Sequence, residues 1–148
     1  MDEMKCIDMM FGEMSYRHRW YKKQNIHMFG VEWEITVAAK AYSGRSITKE
    51  QQESYSLFMK NEKKYVDIIG EELKEYVDQH LQELAVDWLS ARRVGPIEDL
   101  SQMVTPKTLL FKQNGDTLML LDCVWDIENG IGVKVIPEIV TGSQDLFL

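Results

Sequence analysis

The chain has 148 residues, of which 45% are hydrophobic and 28% charged, with a formal net charge of −7; this is the profile of a single globular domain spanning residues 1–148. At that size about two-thirds of the unfolded surface is buried on folding, so no disulfide, structural metal or other cofactor is needed for stability, and none is expected. The acidic balance disfavours nucleic acid as a partner, and no apolar run exceeds four residues, far short of the roughly 20 needed to span a membrane.

The opening stretch MDEMKCIDMM carries acids where an export signal carries positive charge, so a cytoplasmic location with Cys6 and Cys123 as free thiols is expected. Residues 16–28 read as a first strand and VEWEITVAAKAY, residues 31–42, as a second. In the latter Val31, Trp33, Ile35, Val37, Ala39 and Ala41 alternate with mostly polar neighbours, the period of a half-buried antiparallel strand. Phe29-Gly30 supplies the turn between them.

After Ser43-Gly44 the period changes. Thr48-Lys49-Glu50-Gln51 has the form of a capping box, opening a helix that turns Tyr55, Phe58 and Met59 inward. From Glu62, the residues Tyr65, Ile68, Ile69, Leu73, Tyr76, Val77, Leu81 and Leu84 recur at three- and four-residue steps, predicting a second, longer amphipathic helix. Gly70 within it costs about 1 kcal/mol relative to Ala. Residues 48–89 contain ten acids and five lysines, so the outer helical face should be acidic.

Residues 90–106 read as a linker with a short helix near residues 97–103. Three strands follow, at 107–113, 117–125 and 131–136, and the ending GSQDLFL offers one more. The fold class is therefore α+β: a mainly antiparallel sheet in the order ββ-αα-βββ with two helices packed on one face.

Within this frame DCVWDIENGIGV, residues 122–133, poses a choice. As a hairpin, Trp125 would pair with Ile131, Cys123 with Val133 and Leu121 with Val135, giving one apolar face, while Asp122 would meet Lys134 on the other. As a metal or catalytic loop, Asp122, Asp126 and Glu128 would supply the ligands. Aligning Gly130 to the invariant glycine of a calcium loop puts Trp125 and Ile127 in ligand places, which favours the hairpin. Cys123 is then an inert buried thiol.

Two further groups stand out. RHRWYKK, residues 17–23, offers Arg17, Arg19, Lys22 and Lys23 as an anion site, with Trp20 and Tyr21 available for stacking; the competing reading is a solvated edge strand. Leu118, Leu120, Val124 and Ile136 fall on the sheet face opposite the core. Either residues 90–106 cover them, or they form a contact patch for a homodimer or another protein. The histidines lack ligand spacing, and His80, in the helical stripe beside Tyr76, reads as a hydrogen-bonded, partly buried imidazole.

The motifs FGEM, AYSGRSITKEQQESYSLFMKNE, DCVWDIENGIGVKVIPE and GSQDLFL resemble uncharacterised bacterial domains of unknown function, the families numbered 2004 and 6985. That resemblance implies a likeness to small cytoplasmic immunity proteins and brings no catalytic residue set with it. The leading expectation is a non-enzymatic, cytoplasmic protein-binding domain, immunity-like, whose acidic surface suits a basic partner such as a toxin. The alternative is a metal-dependent enzyme or metal-binding domain using the acidic hairpin.

Overall fold

The computed structural model describes residues 4–43 and 45–148. Gly44, half of the expected break between strand and helix, and the acids at positions 2 and 3 lie outside the described residues. Among the described residues eight strands form one sheet in sequential order: β1 (Met4–Asp8), β2 (Gly12–Tyr16), β3 (Trp20–Met28), β4 (Val31–Ala39), β5 (Val104–Phe111), β6 (Thr117–Cys123), β7 (Ile131–Ile136) and β8 (Val140–Ser143). All neighbours are antiparallel except β4 and β5, which run parallel from Thr36↔Thr108 to Ala39↔Phe111. Between them the chain crosses one face of the sheet as α1 (Lys49–Lys60), α2 (Glu62–Gln79) and the single turn α3 (Leu81–Leu84), and returns through a 3-10 helix at Ile97–Gln102. The α+β reading holds, with four strands on each side of the helices where two and three were expected.

The extra strands have local causes. The expected single strand over residues 16–28 is broken by a turn in which His18 takes φ 67° and the Arg17 amide donates to the Arg19 carbonyl, so β2 and β3 form a hairpin. β1 joins β2 through a turn in which the Asp8 carboxylate accepts the amides of Met10 and Phe11, each at 2.9 Å, the way Asx side chains stabilise turns. Among the described residues no helix is long and apolar enough to cross a membrane.

The capping box forms as expected. The Gln51 amide donates to Thr48 Oγ1 (3.1 Å) and the Thr48 amide to Gln51 Oε1 (2.9 Å), satisfying two free donors of the helix start. Gln51 also does a second job: its Nε2 donates to the carbonyls of Lys40 (2.8 Å) and Phe111 (3.0 Å). One fully buried side chain thereby ties the start of α1 to the ends of both parallel strands.

The main core lies between the helices and the sheet. Tyr55 and Phe58 of α1 and Tyr65, Ile69, Leu73 and Val77 of α2 meet Ile35, Val37, Leu109, Phe111, Met119, Leu121, Ile131 and Val133. Residues 90–106 add Val94, Leu100, Met103 and Val104 to this layer, so they pack on the helical side and do not cover the outer face. That face is covered by the chain's own ending. Phe147, beyond a 3-10 turn at Gln144–Leu146, packs with Ala38, Leu110, Leu118 and Leu120. Its ring rests on Gly132, where a Cβ would stand 2.8 Å from two ring carbons. The Lys112 ammonium donates to the Phe147 carbonyl, and Gln144 Nε2 to the Leu121 carbonyl (3.0 Å).

The β6–β7 register also departs from expectation. Leu121, not Trp125, pairs with Ile131, and Met119 pairs with Val133. The offset is four residues, an even number, so the side chains of Leu118 to Leu121 keep their faces, but the ladder shifts between Thr117 and Leu118 and Ile136 turns to the core side. Trp125 is withdrawn from the ladder because its ring packs with Trp88 and Tyr76, at centroid distances of 5.8 and 6.3 Å.

Candidate protein-binding cleft

The residues singled out from sequence are dispersed by the fold. Leu118 and Leu120 are buried under Phe147, Ile136 packs against the main core, and Val124 is left alone with 37% exposure. The four therefore make no continuous contact patch; the correction follows from the way the chain's ending folds back over the sheet.

The carboxylates of the hairpin go three ways. Asp122 stands opposite Thr105 and pairs with Lys107 (3.9 Å), while Lys134 pairs with Asp116 (3.8 Å) and Glu138 (3.1 Å); the expected Asp122–Lys134 pair is replaced because of the four-residue offset. Asp126 caps the turn, accepting the Asn129 amide (3.1 Å) and side chain (3.3 Å), while its carbonyl accepts the Gly130 amide (2.9 Å). Glu128 is exposed. Asp122, Asp126 and Glu128 do not converge, and among the described residues no three His, Cys, Asp or Glu side chains stand close enough to hold a metal ion. Burial pushes the adjacent Cys123 thiol up to about 11, which leaves little of the thiolate that nucleophilic or ligand chemistry needs.

The basic stretch is split as well. Arg17 and Arg19 sit in the β2–β3 turn. Lys22 points to the helical side, where its ammonium donates to the Tyr55 hydroxyl (2.8 Å) and the Phe11 carbonyl (2.5 Å). Lys23 points to the outer face and donates to Thr36 Oγ1 (2.8 Å). These four do not form one anion site. His80 closes α2, its Nδ1 2.8 Å from the Tyr76 carbonyl, as its place in the stripe suggested.

A different cleft emerges at the amino ends of β4 and β5. The two-residue turn between β3 and β4 has φ 55° at Phe29 and 74° at Gly30, the backbone that a tight hairpin requires. Phe29 is an unusual occupant of that position, and the fold explains it: its ring is buried against Gly70 of α2. A Cβ on Gly70 would lie 3.7 Å from the Phe29 ring and 3.1 Å from Ile97 Cγ2. The glycine that weakens the helix is thus the seat for the hairpin tip and the returning 3-10 helix.

The turn, the first three turns of α2 and the 3-10 helix enclose an open cleft of about 750 Å³. Phe29, Val66 and Ile97 give it an apolar floor; Glu62, Asp67, Glu71 and Glu98 give it an acidic rim on which Lys63 is the one lysine or arginine. None of those four carboxylates joins an ion pair among the described residues. His27, also on the rim, already faces Glu32 at 3.6 Å. Sequence reasoning placed acids on the outer helical face but did not bring Glu98 and Phe29 to it. The available signals were Gly70 inside an apolar stripe and an aromatic residue where a hairpin prefers asparagine.

No curated protein and no solved structure is significantly similar to the chain. Of the two families its motifs resemble, one is matched along nearly the whole length, by a model covering residues 10–148: the chain belongs to the family described as Domain of unknown function (DUF6985).

Proposed function

We propose that this domain is a non-enzymatic protein-binding module that receives a basic, partly apolar segment of a partner in the cleft between the β3–β4 turn, α2 and the 3-10 helix. The observation that carries the reading is the composition of the cleft: four carboxylates that join no ion pair among the described residues, around an apolar floor. An arginine or lysine side chain entering it would lay its aliphatic stem on Phe29, Val66 and Ile97 and its charge on the rim, and complementary charge speeds encounter with such a partner. The likeness to immunity proteins that the family resemblance implies makes a basic toxin the partner class to try first, with binding as the means of neutralising it.

A dodecapeptide alternating arginine and leucine is a direct probe. At low ionic strength it should bind and shift the amide resonances of Val66, Asp67 and Ile97. The double variant Asp67→Asn, Glu71→Gln should weaken binding by about tenfold, the effect of removing charge-assisted contacts worth about 1.5 kcal/mol. A peptide that fails to bind, or that binds the double variant equally well, would defeat the proposal.

A further inference from the structure

At the carboxyl ends of the same parallel pair the local charge is reversed. A groove of about 630 Å³ opens between the β2–β3 turn, the exit from β4 and the β5–β6 turn, and its lining includes His18, Arg19, Lys40, Tyr42, Lys112 and Asn114. Among the described residues no carboxylate lines it, in a chain whose net charge is −7. Arg19, Lys40 and Lys112 enter none of the ion pairs among the described residues, although the Lys112 ammonium already donates one hydrogen bond to the Phe147 carbonyl. A solvated charge run would ordinarily be neutralised by nearby acids, so a cationic concavity without them has an unmet preference for an anion.

Independent features of the backbone point the same way. Thr48, the cap of α1, donates through Oγ1 to the Gln113 carbonyl at 2.8 Å, which sets the helix start, with its positive partial charge, against the β5–β6 turn. Arg19 is partly buried, and that desolvation lowers its pKa; among the described residues it joins no ion pair. His18 keeps φ 67° while exposed, a sparsely populated conformation that no buried side chain repays.

We propose that this groove binds a phosphorylated small molecule, with the phosphate held by Arg19, Lys40 and Lys112 and the organic part lying along the exposed ring of Tyr42. Arg19 supplies a planar donor fork suited to phosphate and the two lysines supply point charges. Tyr42 is 75% exposed, and the volume falls within the usual range of small-molecule sites, about 300–1,000 Å³. The assignment is independent of the acidic cleft, which shares no lining residue with it.

Calorimetric titration of the whole chain with inorganic pyrophosphate and with ADP, at low ionic strength and without divalent metal, tests it. Both should bind, ADP more tightly, and Arg19→Gln and Lys40→Gln should each weaken binding by about tenfold, as expected for losing one charged hydrogen bond. Lys23→Gln, on the outer face of β3, should leave it unchanged. Absence of binding by either probe, or an equal loss in Lys23→Gln, would overturn the site. ADP binding no tighter than pyrophosphate would overturn the part assigned to Tyr42.

Discussion

At the amino ends of β4 and β5 the hairpin tip is Phe29, and at their carboxyl ends the neighbouring tip is His18; both hold a positive φ, 55° and 67°, without being glycine. The two tips differ in what offsets that conformation. Phe29 buries its ring against α2, whereas His18 stands exposed beside the basic groove. Left-handed backbone costs an ordinary residue about 1–2 kcal/mol, and an aromatic ring fully buried repays about as much or more. The strain at Phe29 is therefore explained by packing alone. At His18 packing offers nothing equivalent, which is why that end invites a functional account.

The largest expected effect comes from removing the compensation at the buried tip. Phe29→Ala should destabilise the fold by about 3–5 kcal/mol, the usual range for emptying an aromatic site, read as a lower urea midpoint with an unchanged slope. Phe29→Gly loses the same ring but relieves the left-handed strain, so it should be no worse than the alanine variant. A loss below about 1 kcal/mol in Phe29→Ala would mean that the tip is not anchored by its ring, and the contrast with His18 would disappear.

A second effect, at the opposite end, concerns Gln51. Gln51→Leu keeps the approximate volume but strands the Lys40 carbonyl and removes one of two donors from the Phe111 carbonyl, which also accepts the Lys40 amide at 3.0 Å. A buried unsatisfied acceptor costs about 1–3 kcal/mol, and with the lost half of the capping box a loss of about 2 kcal/mol is expected. Thr48→Ala removes only the other half of the box and should lose about 1 kcal/mol. If the two variants were equal, Gln51 would be acting as a cap alone and would not be holding the carboxyl ends in place.

That pair of residues also marks how far the sequence could be read. Thr48 and Gln51 were visible as a capping box because the motif is complete within four residues, and the stripe from Tyr65 to Val77 was visible because a helix repeats its own period. The bond from Gln51 to Phe111 spans 60 positions, and no local pattern encodes it. The same limit applies to the basic groove. Arg19 drew attention within RHRWYKK, but Lys40 and Lys112 join it only through the parallel register of β4 and β5. Hairpin register failed for a different reason: Trp125 satisfies the alternation of β6 as well as it satisfies the cluster with Trp88 and Tyr76, and tertiary packing decides between them. The cover over Leu118 and Leu120 was missed because Phe147 lies in a segment too short to show a period.

The smallest expected effect is at His18 and carries the most information about the exposed tip. His18→Gly relieves the left-handed conformation, a gain of about 1–2 kcal/mol, but it also loosens the unfolded chain, which takes back about 0.5–1 kcal/mol. The net prediction is a protein more stable by about 0.5 kcal/mol, the reverse in sign of the change at Phe29. If the conformation is maintained for the groove, the same variant should bind ADP more weakly despite its greater stability, since the turn that presents Arg19 has become more mobile. A gain in stability with unchanged affinity would reduce His18 to a tolerated turn residue, because histidine is among the side chains that enter this region most readily. Measuring stability and affinity on one variant separates the two accounts, since a purely structural role raises stability and leaves affinity alone, whereas a presenting role drives the two in opposite directions.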